Sequence, residues 1–188
     1  MIKGKTKRNW ETDCKAFIEK LPKVQLSESE VKPIKNFCKE IMAAKLEERH
    51  YQVDNDQIDS RFETGFFGQA AVDKFLGINT FDYSVGKSKE YDVSDLSSID
   101  IDCGVKSADW SNYHVIHKRA KRSEILTVRY NEYEYIICGL ATIDILQSYQ
   151  DDKLIMSHKL RARGVKTGFY GYEHLKQFKN LEELKTLL

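Results

Sequence analysis

The apolar positions divide the chain into a helical first part and a strand-rich second part. Trp10, Cys14, Phe17, Ile18 and Leu21 recur at helical spacing, and Pro22 ends that run. Ser27 with Glu30 three residues later has the form of a capping box. Val31, Ile34, Phe37, Cys38, Ile41, Met42 and Leu46 follow on one stripe, and Pro33 falls early enough in that helix to be tolerated. Residues 50–60 are polar and read as a connection. A third helix is predicted over residues 61–76, stopped by Gly77. It carries Gly65 and Gly68 three apart. A helical glycine costs about 1 kcal/mol against alanine, so the pair points to close approach of a sheet or another backbone, with simple tight packing as the alternative.

After Gly77 the period changes to two. Residues 90–96 form a short strand candidate. In 99–107, Ile99, Ile101, Cys103 and Val105 face one way, and Asp100, Asp102, Gly104 and Lys106 the other. Strands at 125–130 and 133–140 are joined by a tight turn at Asn131 and Glu132. A short helix at 142–149, a strand at 154–156 and helices at 172–178 and 181–188 complete the pattern. Together these predict an α/β or α+β fold with one central mixed sheet flanked by helices. Residues 1–60 form an N-terminal helical extension and residues 61–188 a core domain, within one compact unit.

Composition narrows the function. With 30 Lys+Arg against 29 Asp+Glu, the net charge of +1 argues against a general nucleic-acid coat while leaving room for a local basic patch. No run approaches the roughly 20 apolar residues of a membrane span. The basic segment Met1 to Asn9 is not followed by a hydrophobic one, so no secretory signal is expected. The four cysteines show no paired spacing and read as reduced, mostly buried thiols of a cytoplasmic protein.

The polar face of the 99–107 strand is the first place where chemistry can sit. Asp102 and Lys106 share it, and a turn at Ser97-Ser98 brings Asp95 toward both. Paired carboxylates make a hard oxygen site suited to Mg²⁺, and a neighbouring lysine orients or deprotonates an attacking water or steadies a developing phosphate charge. A solvated strand face with an ion pair is the plainer reading of the same residues.

The order of these features resembles the PD-(D/E)XK nuclease superfamily over roughly residues 61–141. In that family a helix carries an acid, one strand an Asp, and the next strand an acid, any residue and then Lys. Lys106 in Gly104-Val105-Lys106-Ser107 is similar to the family's lysine, and Asp95 to its leading Asp, with Asp92 as a rival. The segment Gly65-Phe-Phe-Gly-Gln-Ala-Ala resembles the first helix, often Gly-x-x-Gly-Glu-x-Ala. Two departures stand out: Gly104 occupies the usual Asp or Glu position, and Gln69 the usual Glu position. Asp102, two residues before Gly104 on the same face, is the candidate to supply the first missing carboxylate. Glu63 is the candidate to compensate at the helix, although six residues at about 100° each put it on a different face from Gln69. The resemblance implies a restriction-endonuclease-like core and hydrolysis of phosphodiester bonds, mostly in DNA and sometimes in RNA. The cofactor it implies is Mg²⁺ or Mn²⁺, held by Asp95 and Asp102.

Two basic clusters fit such a substrate. Lys118, Arg119, Lys121 and Arg122 form one, and Lys159, Arg161, Arg163 and Lys166 the other. The aromatic residues after Lys166 add stacking candidates. Solvated loops and core aromatics explain the same residues equally well. His114 and His117 lie three apart in an extended segment, on opposite faces, which does not suit zinc. The alternative function is a catalytically inactive nucleic-acid-binding or protein-interaction module on the same fold, motivated by the losses at 69 and 104. A homodimer through the long apolar stripe of 27–48 is a further expectation, set against packing of that stripe on the core.

Overall fold

The computed structural model describes residues 8–46, 58–85 and 93–188. Its strands are β1 (Lys23–Gln25), β2 (Cys103–Asp109), β3 (Val115–His117), β4 (Ser123–Asn131), β5 (Glu134–Ala141), β6 (Gln150–Asp151) and β7 (Lys166–Phe169). A π-helical turn at Glu11–Lys15 runs into α1 (Ala16–Ile18), followed by α2 (Glu28–Leu46), α3 (Ile58–Leu76), α4 (Ile143–Ser148), α5 (His158–Ala162) and α6 (Leu181–Leu187). The fold is mixed α/β. A four-stranded sheet has the order β1-β5-β4-β2, and a three-stranded sheet the order β3-β7-β6. β4 and β5 form an antiparallel hairpin, whereas β2 runs parallel to β4. A parallel pair requires a crossover of a dozen or more residues, and here the segment carrying β3 makes it.

The four-stranded sheet is buried on both faces, which is why β5 reads as an apolar run rather than an alternation. On one face Ile125 of β4 and Ile137 and Leu140 of β5 pack with Ile34 and Cys38 of α2, Phe67 and Val72 of α3 and Leu184 of α6. On the other, Leu126 and Val128 of β4 and Ile136 and Cys138 of β5 pack with Trp10, Cys14 and Ile18, Leu146 of α4, and Ile116 and Phe169 from the second sheet. A bulge opposite the Leu126/Thr127 step shifts the phase of β5, and Gly139 there has φ +125°, where a Cβ would run into Lys176 O and Gln177 Nε2.

Several elements match the periodicity. Glu30 accepts a 2.7 Å hydrogen bond from Ser27 N at the start of α2, as a capping residue should. The α2 stripe packs against α3, with Phe37 and Phe66 ring centroids 5.1 Å apart, and Val31, Ile34, Phe37, Cys38 and Ile41 of that stripe are buried within the chain. α3 ends at Gly77, which has φ +66°. A Cβ on Gly68 would collide with Ser107 Oγ and Thr127 Oγ1, so the helix lies close on β2 and β4; Gly65 has open space beside it. All four cysteines are buried and unpaired. Among the described residues no helix is long and apolar enough to cross a membrane.

Other elements differ from the pattern. Phe17 is 42% exposed while Trp10, Cys14 and Ile18 face inward. Residues 93–96 form a turn instead of a strand, because Ser94 Oγ and Leu96 N bond back to Ile101 O and Cys103 O. The strand expected from residue 99 starts only at Cys103: Ser97–Ile99 is a 3₁₀ turn, and Asp100 at φ 59° interrupts the extension. Residues 152–154 form a 3₁₀ turn where the pattern predicts a strand from 154. The helix expected at 172–178 shrinks to a 3₁₀ turn at Tyr172–His174, because Lys176 pairs through its backbone with Leu140 at 2.9 Å in both directions. Residues 23–46 belong to the same sheet and core as the residues after 61.

Candidate active site

β2 is an edge strand, and its outer edge holds the loop that carries Asp95. Cys103 O accepts from Leu96 N at 3.1 Å, and Val105 N donates to Asp95 Oδ2 at 2.6 Å. Leu96, fully buried in the α3-side core, anchors this loop. Ser97 N bonds back to Ser94 O, closing the turn around Asp95. The carboxylate is therefore set by backbone contacts on both sides.

The face of β2 away from α3 carries Gly104 and Lys106. Its partner in register across the parallel pair is β4, where Gly104 stands beside Glu124. Paired residues of adjacent strands share a face. A Cβ on Gly104 would collide with the Glu124 carboxyl group, which thus fills the space that a side chain at position 104 would occupy. Glu124 Oε2 is shut off from solvent and has no hydrogen-bond partner. A buried carboxylate oxygen with no partner carries a desolvation cost that an additional ligand would relieve.

Asp95, Gly104, Lys106 and Glu124 line one cleft of about 290 Å³, together with Ile116, His117, Arg119, Lys121 and Arg122. Burial pushes the Asp95 carboxyl above the usual range, opposed by the Val105 N–H, Lys106 and Arg122. Burial also pushes Glu124 up to about 7; Lys106 and Arg122 pull it down, while Asp95 and Asp102 reinforce the rise. Asp95 thus adds to the affinity of Glu124 for positive charge, as one carboxyl does to another beside it in a desolvated cleft.

The remaining candidates sit elsewhere. Asp102 is exposed just before β2 and lines a neighbouring groove with Ser97, Asp100 and Arg122, within electrostatic reach of Glu124. Gln69 is half-buried and does not line the cleft; it follows Gly68, the α3 residue in contact with Ser107 and Thr127. Glu63 precedes Thr64, whose Oγ1 donates to Asp109 Oδ1 at 2.9 Å at the far end of β2. Five strand steps, about 16 Å, separate that end from Gly104. Glu63 acts instead on Lys35 and Cys38. Asp92 lies outside the described residues.

The basic clusters separate as well. Arg119, Lys121 and Arg122 line the cleft. Lys118 is turned to Asp152 at 2.6 Å, and Arg161 Nη2 lies 2.9 Å from His158 Nδ1. Lys159 is exposed on α5, Arg163 exposed just beyond it, and Lys166 half-buried at the start of β7. Phe169 and Tyr172 are core residues, so neither offers a stacking surface. His114 is buried, its Nε2 2.8 Å from Thr127 O and its Nδ1 2.8 Å from Tyr172 Oη. A carbonyl only accepts, so Nε2 carries the proton and Nδ1 accepts from the tyrosine.

Glu124 is the residue that sequence reasoning missed. Its signal was the unexplained Gly104 combined with an acid at the start of the next long strand. Among the described residues no three of His, Cys, Asp and Glu converge as a ligand set. Comparisons with protein-family models, curated proteins and solved structures find no match to the chain.

Proposed function

We propose that the chain is a Mg²⁺-dependent nuclease of the PD-(D/E)XK type, with Glu124 in the role of the acid missing at Gly104. One observation supports this reading: the Glu124 carboxyl, its Oε2 buried without a hydrogen-bond partner, lies over Gly104 in the same cleft as Asp95 and Lys106. The donor set fits the ion. Mg²⁺ is commonly held by one or two carboxylates, with waters and substrate phosphate completing the shell. Asp95 and Glu124 would hold it, with Asp102 adding negative charge nearby. When bound, it neutralises charge on the scissile phosphate.

The chain's own residues supply the rest. Lys106 positions the attacking water and donates to phosphate oxygens as their charge grows. Val105 N–H fixes the Asp95 carboxylate. Arg119, Lys121 and Arg122 draw the phosphates of the strand, most readily DNA, to the cleft.

The second reading is a nucleic-acid-binding module that does not cut. It is favoured by the absence of Gln69 and Glu63 from the cleft, which leaves two carboxylates among its described lining residues. Supercoiled plasmid, linear duplex, single-stranded DNA and RNA, each incubated with Mg²⁺, Mn²⁺ or EDTA, separate the two. The nuclease cuts at least one polymer with metal, and Lys106→Ala abolishes the cutting. The module binds equally in EDTA and cuts none.

A further inference from the structure

Lys166 opens β7 opposite His117 of β3, and Lys118 N donates to Val165 O at 3.1 Å. This end of the second sheet is therefore fixed to the segment that carries Arg119, Lys121 and Arg122. His117 lines the cleft. Lys166 is half-buried, and the charges that act on it are Lys106, Arg61 and Arg163, all cationic. Burial and these neighbours hold its ammonium below the usual range. The charges acting on His117 are likewise Lys166, Lys106, Lys121 and Arg122, which with burial disfavour its protonated form. Some cations of the chain are matched, as Lys118 is by Asp152 at 2.6 Å, Lys74 by Glu30 at 2.8 Å and Arg129 by Asp109 at 2.8 Å. Lys166 and His117 meet no carboxylate among the described residues. Converging like charges in a half-buried site repel, and a bound anion offsets that repulsion.

We infer that His117 and Lys166, flanked by Arg163 and Lys106, form a phosphate subsite beside the Asp95–Glu124 cleft, occupied by the phosphate adjoining the scissile one on the same strand. The identity of the polymer rests on the nuclease reading; the anion site itself does not. Lys106 links the two sites, since it lines the cleft and acts on both Lys166 and His117.

The test is titration of the whole protein with inorganic phosphate and pyrophosphate in EDTA, followed by calorimetry and by the ring resonances of His117. Saturable binding that moves the His117 resonances is expected. Lys166→Gln should weaken it at least tenfold, whereas Lys176→Gln, exposed on the segment paired with Leu140, should leave it unchanged. Unchanged His117 resonances, or equal weakening by Lys176→Gln, would overturn the subsite. A substrate with one phosphodiester should be cut at least tenfold more slowly than the same substrate with an adjoining second phosphate, and Lys166→Gln should remove the difference. Phosphate binding without any cutting upholds the subsite and sinks the nuclease reading. Cutting with no effect of phosphate on His117 sinks the subsite alone.

Discussion

The carboxyl group of Glu124 stands where a side chain on Gly104 would begin. The two residues are neighbours across the parallel β2–β4 pair, twenty positions apart in sequence. A glycine at 104 and a glutamate at 124 therefore form one feature: the first makes room for the second. The same face brings Lys106 into the cleft beside them.

Glu124 should make the fold pH-dependent in a defined sense. Its folded pKa, about 7, lies above the ordinary glutamate value near 4.5. The folded chain keeps the proton while the unfolded chain loses it, so stability is full below about pH 4.5 and declines as pH rises through 7. In EDTA, Glu124→Gln should be more stable than the parent at pH 8, with a ceiling of about 3 kcal/mol, and equal to it near pH 4.5. Urea denaturation across that range measures the difference. A parent and variant with parallel profiles would show that Glu124 is not held in a desolvated site.

His114 should act in the opposite direction. Burial is the main cause that lowers its pKa from 6.5 to about 4. The unfolded chain binds a proton that the folded chain refuses, so its contribution is present above pH 6.5 and is lost as pH falls toward 4. The ceiling is about 3 kcal/mol. The Glu124 and His114 windows overlap with opposite slopes and partly cancel in the parent. Removing one exposes the other: Glu124→Gln should steepen the acid loss of stability, and His114→Gln should flatten or reverse it.

Tyr172 is the partner that orients the His114 ring. Its hydroxyl donates to Nδ1 at 2.8 Å and accepts from the His114 backbone N–H at 3.2 Å. Tyr172→Phe removes one group and leaves two buried ones unpartnered. The expected loss is about 1–3 kcal/mol, read from the denaturation midpoint. No measurable loss would mean that the pair is not closed in solution.

The α3–sheet contact gives a steric prediction. Any Cβ at Gly68 meets Ser107 Oγ and Thr127 Oγ1, which are themselves 2.8 Å apart. Gly68→Ala should cost about 1–3 kcal/mol. Ser107→Gly in the same chain should restore part of it, since the nearest clash is with that side chain. Gly65→Ala, with nothing beside it, should be neutral or slightly stabilising. Thermal unfolding of the three variants checks the order.

What was legible in the sequence follows from length and period. α2, α3, β4 and β5 each extend over enough residues for an apolar stripe or an apolar run to identify them. β1, β3, β6 and β7 have two to four residues, too few to display any alternation, and β1 and β3 pair with strands far away in sequence. The strand expected from residue 99 was too long because Ile99 and Ile101 pack toward the α3-side core from a 3₁₀ turn and a loop as they would from a strand. At the site, Asp95 and Lys106 were legible because local chain reversal brings them together. Glu124 was not, because its position depends on the register of a parallel pair formed across a long crossover.

Relocation of the acid tests whether Glu124 supplies the carboxylate that position 104 lacks. Cleavage of plasmid or single-stranded DNA with Mg²⁺ and Mn²⁺ would be measured for the parent, Glu124→Ala, and Glu124→Ala combined with Gly104→Asp. At least a hundredfold loss is expected in the single variant, with recovery of metal-dependent cutting in the double variant, in which the carboxylate introduced at position 104 occupies the vacated space. Glu124→Ala cutting at the parent's rate would contradict that role for Glu124.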